Sequence, residues 1–395
     1  MQLSNRRYHN SRRMLICNRH LLFLGSEKYP EANGFPEYVS KHSGKYNAYT
    51  YATTTVFHFE LTAKPAADGE FSPLYDGLDR FANLLFSPLF RLSDIDGELD
   101  VVSSEHNTNM ADDSKRMRQL RGLLSNPVHP WSQFETGTYK TLMTDLKARG
   151  VNVRDHFVEF HDIHYTANRM KLVVLGREPL HVLEKWVADK FVDTNPKPKN
   201  KNLPLDRWET NVVLRPEDLL TVCFADPVAD SRWVDVEFPF LDETSIFGTR
   251  PSSYLRYLIK YQGPGGLFSS LNNDRLVTDL FPTVDPVCPG TEGIFQCRIH
   301  CTEKGIDQWE QIVIRLLNYL SLLRKQPLLE DVFSQLKVLG DNDFHFPKKA
   351  SARKSASKFT THISKRMQTS VPREWLLSKE NRLFPCQAAK IYELC

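Results

Sequence analysis

The run DTNPKPKNKNLPLD, residues 193–206, limits most strongly how this chain can fold. Three prolines interleaved with lysine and asparagine can neither continue a helix nor sit in an interior strand, so the segment predicts an exposed connection. It splits the 395 residues into two pieces, each near the ordinary size of a domain. A hydrophobic content of 41% supports a core on either side.

Each piece mixes strand and helix patterns. TYATTTVFHFEL alternates Phe57, Phe59 and Leu61 with polar residues and predicts a half-buried strand. PLYDGLDRFANLLFSPLF carries a helical stripe of Leu74, Leu78, Phe81 and Leu85 that ends near Pro88. A second helix is expected around Ile95, Leu99, Val102 and Met110. HFVEFHDIHY reads as a short helix, RMKLVVLG as a buried strand, and EPLHVLEKWVADKFV as a helix with Pro179 in its first turn. Beyond the linker, strands are expected at LTVCFADPV, WVDVEFPF and GIFQCRIHC. Helices are expected at SSYLRYLIKYQ and from Gln308 onward. No acidic residue lies between Asp343 and Glu374, and the Ala-, Ser- and Lys-rich stretch there reads as a solvated amphipathic helix. The alternation favours two α/β or α+β units.

Charge and cysteine usage exclude several classes. Fifty-one basic against 48 acidic residues, a net charge of +3, give no general nucleic-acid binder. Seven scattered cysteines make no disulfide framework, so a reducing, cytoplasmic compartment is expected. The basic start MQLSNRRYHNSRRMLICNR leaves mitochondrial targeting as the minority alternative. No apolar run reaches the roughly 20 residues that span a bilayer.

The candidate chemistry gathers around His20. A histidine at the end of a helical turn that runs into Leu21, Leu22, Phe23 and Leu24 could bury its imidazole beside a core, but one histidine cannot hold zinc. Glu98 and Glu105 are seven residues apart, which on a helix puts both carboxylates on nearly one face, with Val101 and Val102 between them as anchors. Two further groups are weaker metal candidates. His161 and His164, with Glu159 near them, read as a helix end, and Cys297 and Cys301 read as core. The glycines of YQGPGGLF lack both the P-loop ending and the dinucleotide spacing, so no nucleotide cofactor is expected.

The ordered blocks HLLFLGSEKYPEANGFPEYVSKHSGKYNAYT, LDRFANLLFSPLF, DGELDVVSSEHNTNM and FHDIHYTANRMKLVVLGRE resemble the first domain of the insulin-degrading enzyme family, the inverzincin zinc metalloendopeptidases. PSSYLRYLIKYQGPGGLFSSL and VPREWLLS are similar to the second domain of fungal members. The resemblance implies an α+β chain of two related α/β roll domains, each a mainly antiparallel sheet packed by helices. It implies an unmatched start at 1–19, a first domain at 20–195 lacking its N-terminal strands, a linker at 196–206, and a second domain at 207–395 that is incomplete at its end.

The family hydrolyses peptide bonds with zinc-bound water on a helical H-x-x-E-H. By resemblance, His20 matches the second zinc histidine, Glu105 the downstream zinc glutamate and Glu98 a supporting acid. Ile16 stands where the first histidine would be, and Arg19 where the general base would be. Isoleucine has no lone pair, and arginine does not accept a proton from water. Weak or absent Zn2+ binding and impaired or absent hydrolysis are therefore expected, as is an Arg19–Glu98 ion pair. The resemblance also makes Asn47 and Ala48 the edge that holds an extended peptide, and Gly263, Gly265 and Gly266 a peptide-facing turn. The expected partners are extended peptides and a missing C-terminal half or a homologue. The alternative function is a non-catalytic peptide-binding or protein-interaction module.

Overall fold

The computed structural model describes residues 16–51, 54–62, 72–132, 137–192, 212–243, 246, 249–285, 291–346, 352–368 and 376. Residues 1–15 of the basic start, the linker expected at 196–206 and all but one residue of VPREWLLS lie outside the described residues. The chain forms two compact units. One is drawn from Met1–Ala111, Gln133–Asp206 and Ala350–Gln368, the other from Asp112–Ser132, Arg207–Lys349 and Thr369–Cys395. Each is an antiparallel sheet packed by helices, the α+β arrangement expected.

The first unit opens with helix α1 (residues 16–21), which tightens into a 3-10 turn at Leu22–Leu24. Helix α2 (Gly34–Lys41) then leads into the hairpin β1 (Lys45–Thr50) and β2 (Thr55–Glu60), paired so that Asn47 faces His58 and Ala48 faces Phe57. Helix α3 (Pro73–Phe86) starts where the Ser72 hydroxyl accepts the Leu74 N–H, with Pro73 in the first turn, where its missing donor costs nothing. Its predicted stripe is buried at Leu78, Phe81 and Leu85.

Helix α4 (Leu92–Met110) buries Ile95, Leu99 and Val102 completely, one helical face at spacings of four and three. Val101, expected inward, is exposed because it falls off that stripe, and Met110 is exposed as the last residue of the helix. The next helix, α5 (Asp113–Leu124), belongs to the second unit. A π-helical turn at Lys140–Thr144 runs into α6 (Asp145–Ala148), and α7 (Val153–His164) and α8 (Leu180–Val187) follow. The core joins Leu21 and Leu22 to Phe81, Ile95, Leu99, Val102, Leu142 and Phe157.

In the second unit, β3 (Trp233–Phe240) precedes α9 (Pro251–Lys260) and α10 (Leu267–Asn273). Strands β4 (Val277–Asp285) and β5 (Gly293–Cys301) complete a sheet in the order β3-β5-β4. Helices α11 (Glu303–Asp307), α12 (Trp309–Lys325) and α13 (Glu330–His345) follow. Alternate residues of β5, Phe295, Cys297 and Ile299, bury against Ile259, Leu271, Ile312 and Leu316. Helix α14 (Ala352–Gln368), the expected basic helix, returns to the first unit.

Two expected strands are absent. Residues 171–176 of RMKLVVLG and 221–227 of LTVCFADPV have no ladder partner among the described residues, and Leu220, Val222 and Phe224 are exposed. A strand exists only with a neighbour to bond, so an apolar run that meets none stays irregular.

Candidate functional site

Helix α1 is placed by its apolar side. Ile16, Cys17 and Leu21 are buried, which leaves Arg19 and His20 at the border of the core facing α4. Ile16 lies one turn before His20 on the same helical stripe and offers packing where a ligand would be needed. Burial, helped by the charge of Glu98, pushes the Cys17 thiol up.

The structure brings His20, Glu98 and Glu105 together. His20 Nδ1 lies 2.5 Å from Glu98 Oε1, and His20 Nε2 lies 3.6 Å from Glu105 Oε2. Arg19 Nη2 donates a hydrogen bond to His20 Nε2 and approaches Glu105 Oε2 to 3.6 Å. A guanidinium has donors and no acceptor, so Nε2 must supply its lone pair to Arg19 and Nδ1 must carry the proton that Glu98 accepts. The expected Arg19–Glu98 ion pair is thus replaced: Glu98 orients the imidazole, and Arg19 turns to Glu105.

These residues do not fit zinc. The metal needs the Nε2 lone pair, and Arg19 already engages it with a fixed positive charge. Burial draws the guanidinium down from its ordinary value, with Glu105 foremost among the groups opposing that shift, and arginine remains a cation throughout. Among the described residues no group of three or more His, Cys, Asp or Glu side chains could hold a metal ion. What survives is the outer arrangement, a carboxylate on the distal nitrogen of a histidine, without the set of ligands it would serve.

Beside this cluster, Arg19 Nη1 donates to the Ala48 carbonyl at 3.4 Å, and the Ala48 N–H donates to Asn47 Oδ1 at 2.8 Å. Sequence reasoning marked Arg19 as a lost base and missed its reach to β1. The only signal for it was the chemistry of a long side chain with five donors beside two carboxylates and a strand.

The other candidates resolve as structure. His161 Nε2 donates to the buried Leu85 carbonyl at 2.8 Å and its ring stacks on Tyr165, so it is a core histidine and not a solvated helix end. Cys297 and Cys301 are core residues whose thiols burial pushes up, to about 12 and about 11. Gly263, Gly265 and Gly266 form the turn between α9 and α10. Gly265 sits at φ +81°, and a Cβ on Gly266 would come within 2.4 Å of the Tyr261 carbonyl oxygen.

Residues 17–128 match the family described as Insulinase (Peptidase family M16), and residues 152–339 match the Peptidase M16 inactive domain. The chain belongs to the M16 peptidase family. This M16 chain is 34% identical over 341 residues to the insulin-degrading enzyme of Homo sapiens, which covers 86% of the chain and 32% of that enzyme. It is 31% identical over 346 residues to the A-factor-processing enzyme of Saccharomyces cerevisiae, covering 88% and 32% respectively. Among solved structures, pitrilysin superposes with a TM-score of 0.81 at 27% identity, covering 96% of this chain and 38% of its own. A Helicobacter pylori protease shares the fold, with a TM-score of 0.69 at 16% identity over 97% of this chain and 85% of its own. The M16 chain therefore spans about one third of the length of these curated relatives.

Proposed function

We propose that this chain is an M16 member in which zinc-dependent peptide-bond hydrolysis is impaired or lost. The observation that carries this reading is the Arg19 guanidinium, bonded to His20 Nε2 and facing Glu105, where a metal would draw on the same atoms. With Ile16 in the first ligand position and no carboxylate at residue 19, no group among the described residues completes a zinc shell there.

The inherited reaction remains peptide-bond hydrolysis by zinc-bound water, and His20 and Glu105 are the remnants of its ligand set, with Glu98 in support. The relatives bearing the names insulin-degrading enzyme and A-factor-processing enzyme make peptides the class of molecule to test. The scattered cysteines of the sequence are the ground for placing the chain in a reducing compartment such as the cytoplasm.

A second reading, metal-independent binding of an extended peptide, rests on the β1 edge at Asn47 and Ala48. Gly263, Gly265 and Gly266 would shape a further peptide-facing turn under this reading. A fluorogenic peptide incubated with the purified chain, with and without chelator, separates hydrolysis from binding. The expected result is no chelator-sensitive cleavage. Robust cleavage abolished by chelator and restored by zinc would overturn the reading.

A further inference from the structure

The outward edge of β1 is closed at one residue by the chain's own side chains. The Tyr51 N–H donates to the Thr54 carbonyl at 2.7 Å, which makes Tyr51 and Thr54 a hydrogen-bonded pair. Pairs alternate along an antiparallel ladder, so in the observed register Tyr49–Val56 is bonded and Ala48–Phe57 is not. Both backbone groups of Ala48 therefore point away from β2, toward the place a third strand would occupy.

Those two groups are already satisfied. Asn47 Oδ1 accepts the Ala48 N–H, and Arg19 Nη1 donates to the Ala48 carbonyl. One acceptor and one donor are what a neighbouring strand offers at such a residue. Asn47 and Arg19 together imitate one residue of that missing neighbour. The imitation is unequal in strength, because the Arg19 bond is long at 3.4 Å while its guanidinium is held on the other side by His20 and Glu105.

We propose that Arg19 is a latch on the β1 edge: anchored on His20 and Glu105, it withholds the Ala48 carbonyl from an extended peptide that would pair with β1. The inference rests on the peptide-binding reading above and names the residue that controls it. Removing a metal ligand and adding a cation has then done two things at once, since the same guanidinium engages the histidine and covers the strand. An incoming peptide must displace a charge-assisted bond, so the unaltered chain binds extended peptides weakly.

The test is the dissociation constant of a fluorescently labelled extended peptide, read by anisotropy in the presence of chelator, for the unaltered chain and for Arg19→Met. Methionine keeps the aliphatic stem of the half-buried side chain and removes every donor. Freeing one backbone acceptor predicts binding about five- to tenfold tighter in the variant. A folded Arg19→Met variant that binds as the unaltered chain does contradicts the latch and leaves peptide binding standing. No saturable binding by either form contradicts both readings.

If Arg19→Met loses its far-UV circular dichroism, Glu105→Gln loosens the same anchor from the half-exposed side and must tighten binding in the same direction. No tightening there also overturns the proposal. A concentration-dependent dimer of Arg19→Met in size-exclusion chromatography, without peptide binding, would assign the edge to a second copy of the chain and overturn it too.

Discussion

His20 shows how one neighbour decides what a histidine can do. Its two nitrogens are committed in opposite senses, Nδ1 donating a hydrogen bond to Glu98 and Nε2 accepting one from Arg19. The residue between Cys17 and Arg19 carries a different signature. Asn18 is fully buried, and among the described residues neither its Nδ2 nor its Oδ1 has a hydrogen-bond partner. An unsatisfied buried amide costs about 1–3 kcal/mol, whereas an apolar side chain of similar size in the same place costs nothing of that kind. Asn18→Leu is therefore expected to raise the melting temperature by about 2–4 °C in a calorimetric scan. A lowered melting temperature would show that the amide has a partner in solution.

At the scale of elements, the helices were legible in the sequence and the sheets only in part. The stripes of α3 and α4 could be read because Leu78, Phe81, Ile95, Leu99 and Val102 recur with the helical period and need only one apolar neighbour to bury against. The run KLVVLG could not be judged so, since its hydrophobicity is intrinsic but its pairing depends on a distant segment. Strand β4, VTDLFPTVD, escaped notice because a proline and two aspartates break its alternation. Resemblance to H-x-x-E-H singled out His20, Glu98 and Glu105, and the structure places these three side chains together. The contact from Arg19 to Ala48 spans 29 residues and is written in no local pattern.

Elements are also tied by a carboxylate on α3. Asp79 is buried, which by itself would raise its pKa, but bonds from Lys28, Tyr29 and Lys190 outweigh that and hold it below the usual carboxylate value. A group with a lowered folded pKa adds stability above its unfolded value and loses it as the pH falls through the folded one. Asp79→Asn should therefore cost about 2 kcal/mol near pH 7, with the gap to the unaltered chain closing as the pH falls through roughly 4 and below. Denaturant titration across that range checks it. A gap independent of pH would remove the carboxylate from the account.

For the whole molecule, the M16 fold is shared with the family, and the proposed loss concerns the activity alone. The two units, the first of which carries α1, each have an antiparallel sheet with helical cover, and the two M16 matches at 17–128 and 152–339 each draw on both units. On the proposed reading, the fold accommodates Ile16 and Arg19 at the motif positions because Ile16 is buried and Arg19 engages His20 and Glu105. Restoring the motif with Ile16→His and Arg19→Glu together is expected to return zinc affinity, since His20, Glu105 and the orienting Glu98 are already in place. The most direct test of the central claim is the zinc content of the purified chain after dialysis against micromolar zinc, measured by elemental mass spectrometry beside that double variant. The account predicts far less than one zinc per unaltered chain and a clear gain in the variant. Stoichiometric zinc in the unaltered chain, lost on His20→Ala, would contradict it.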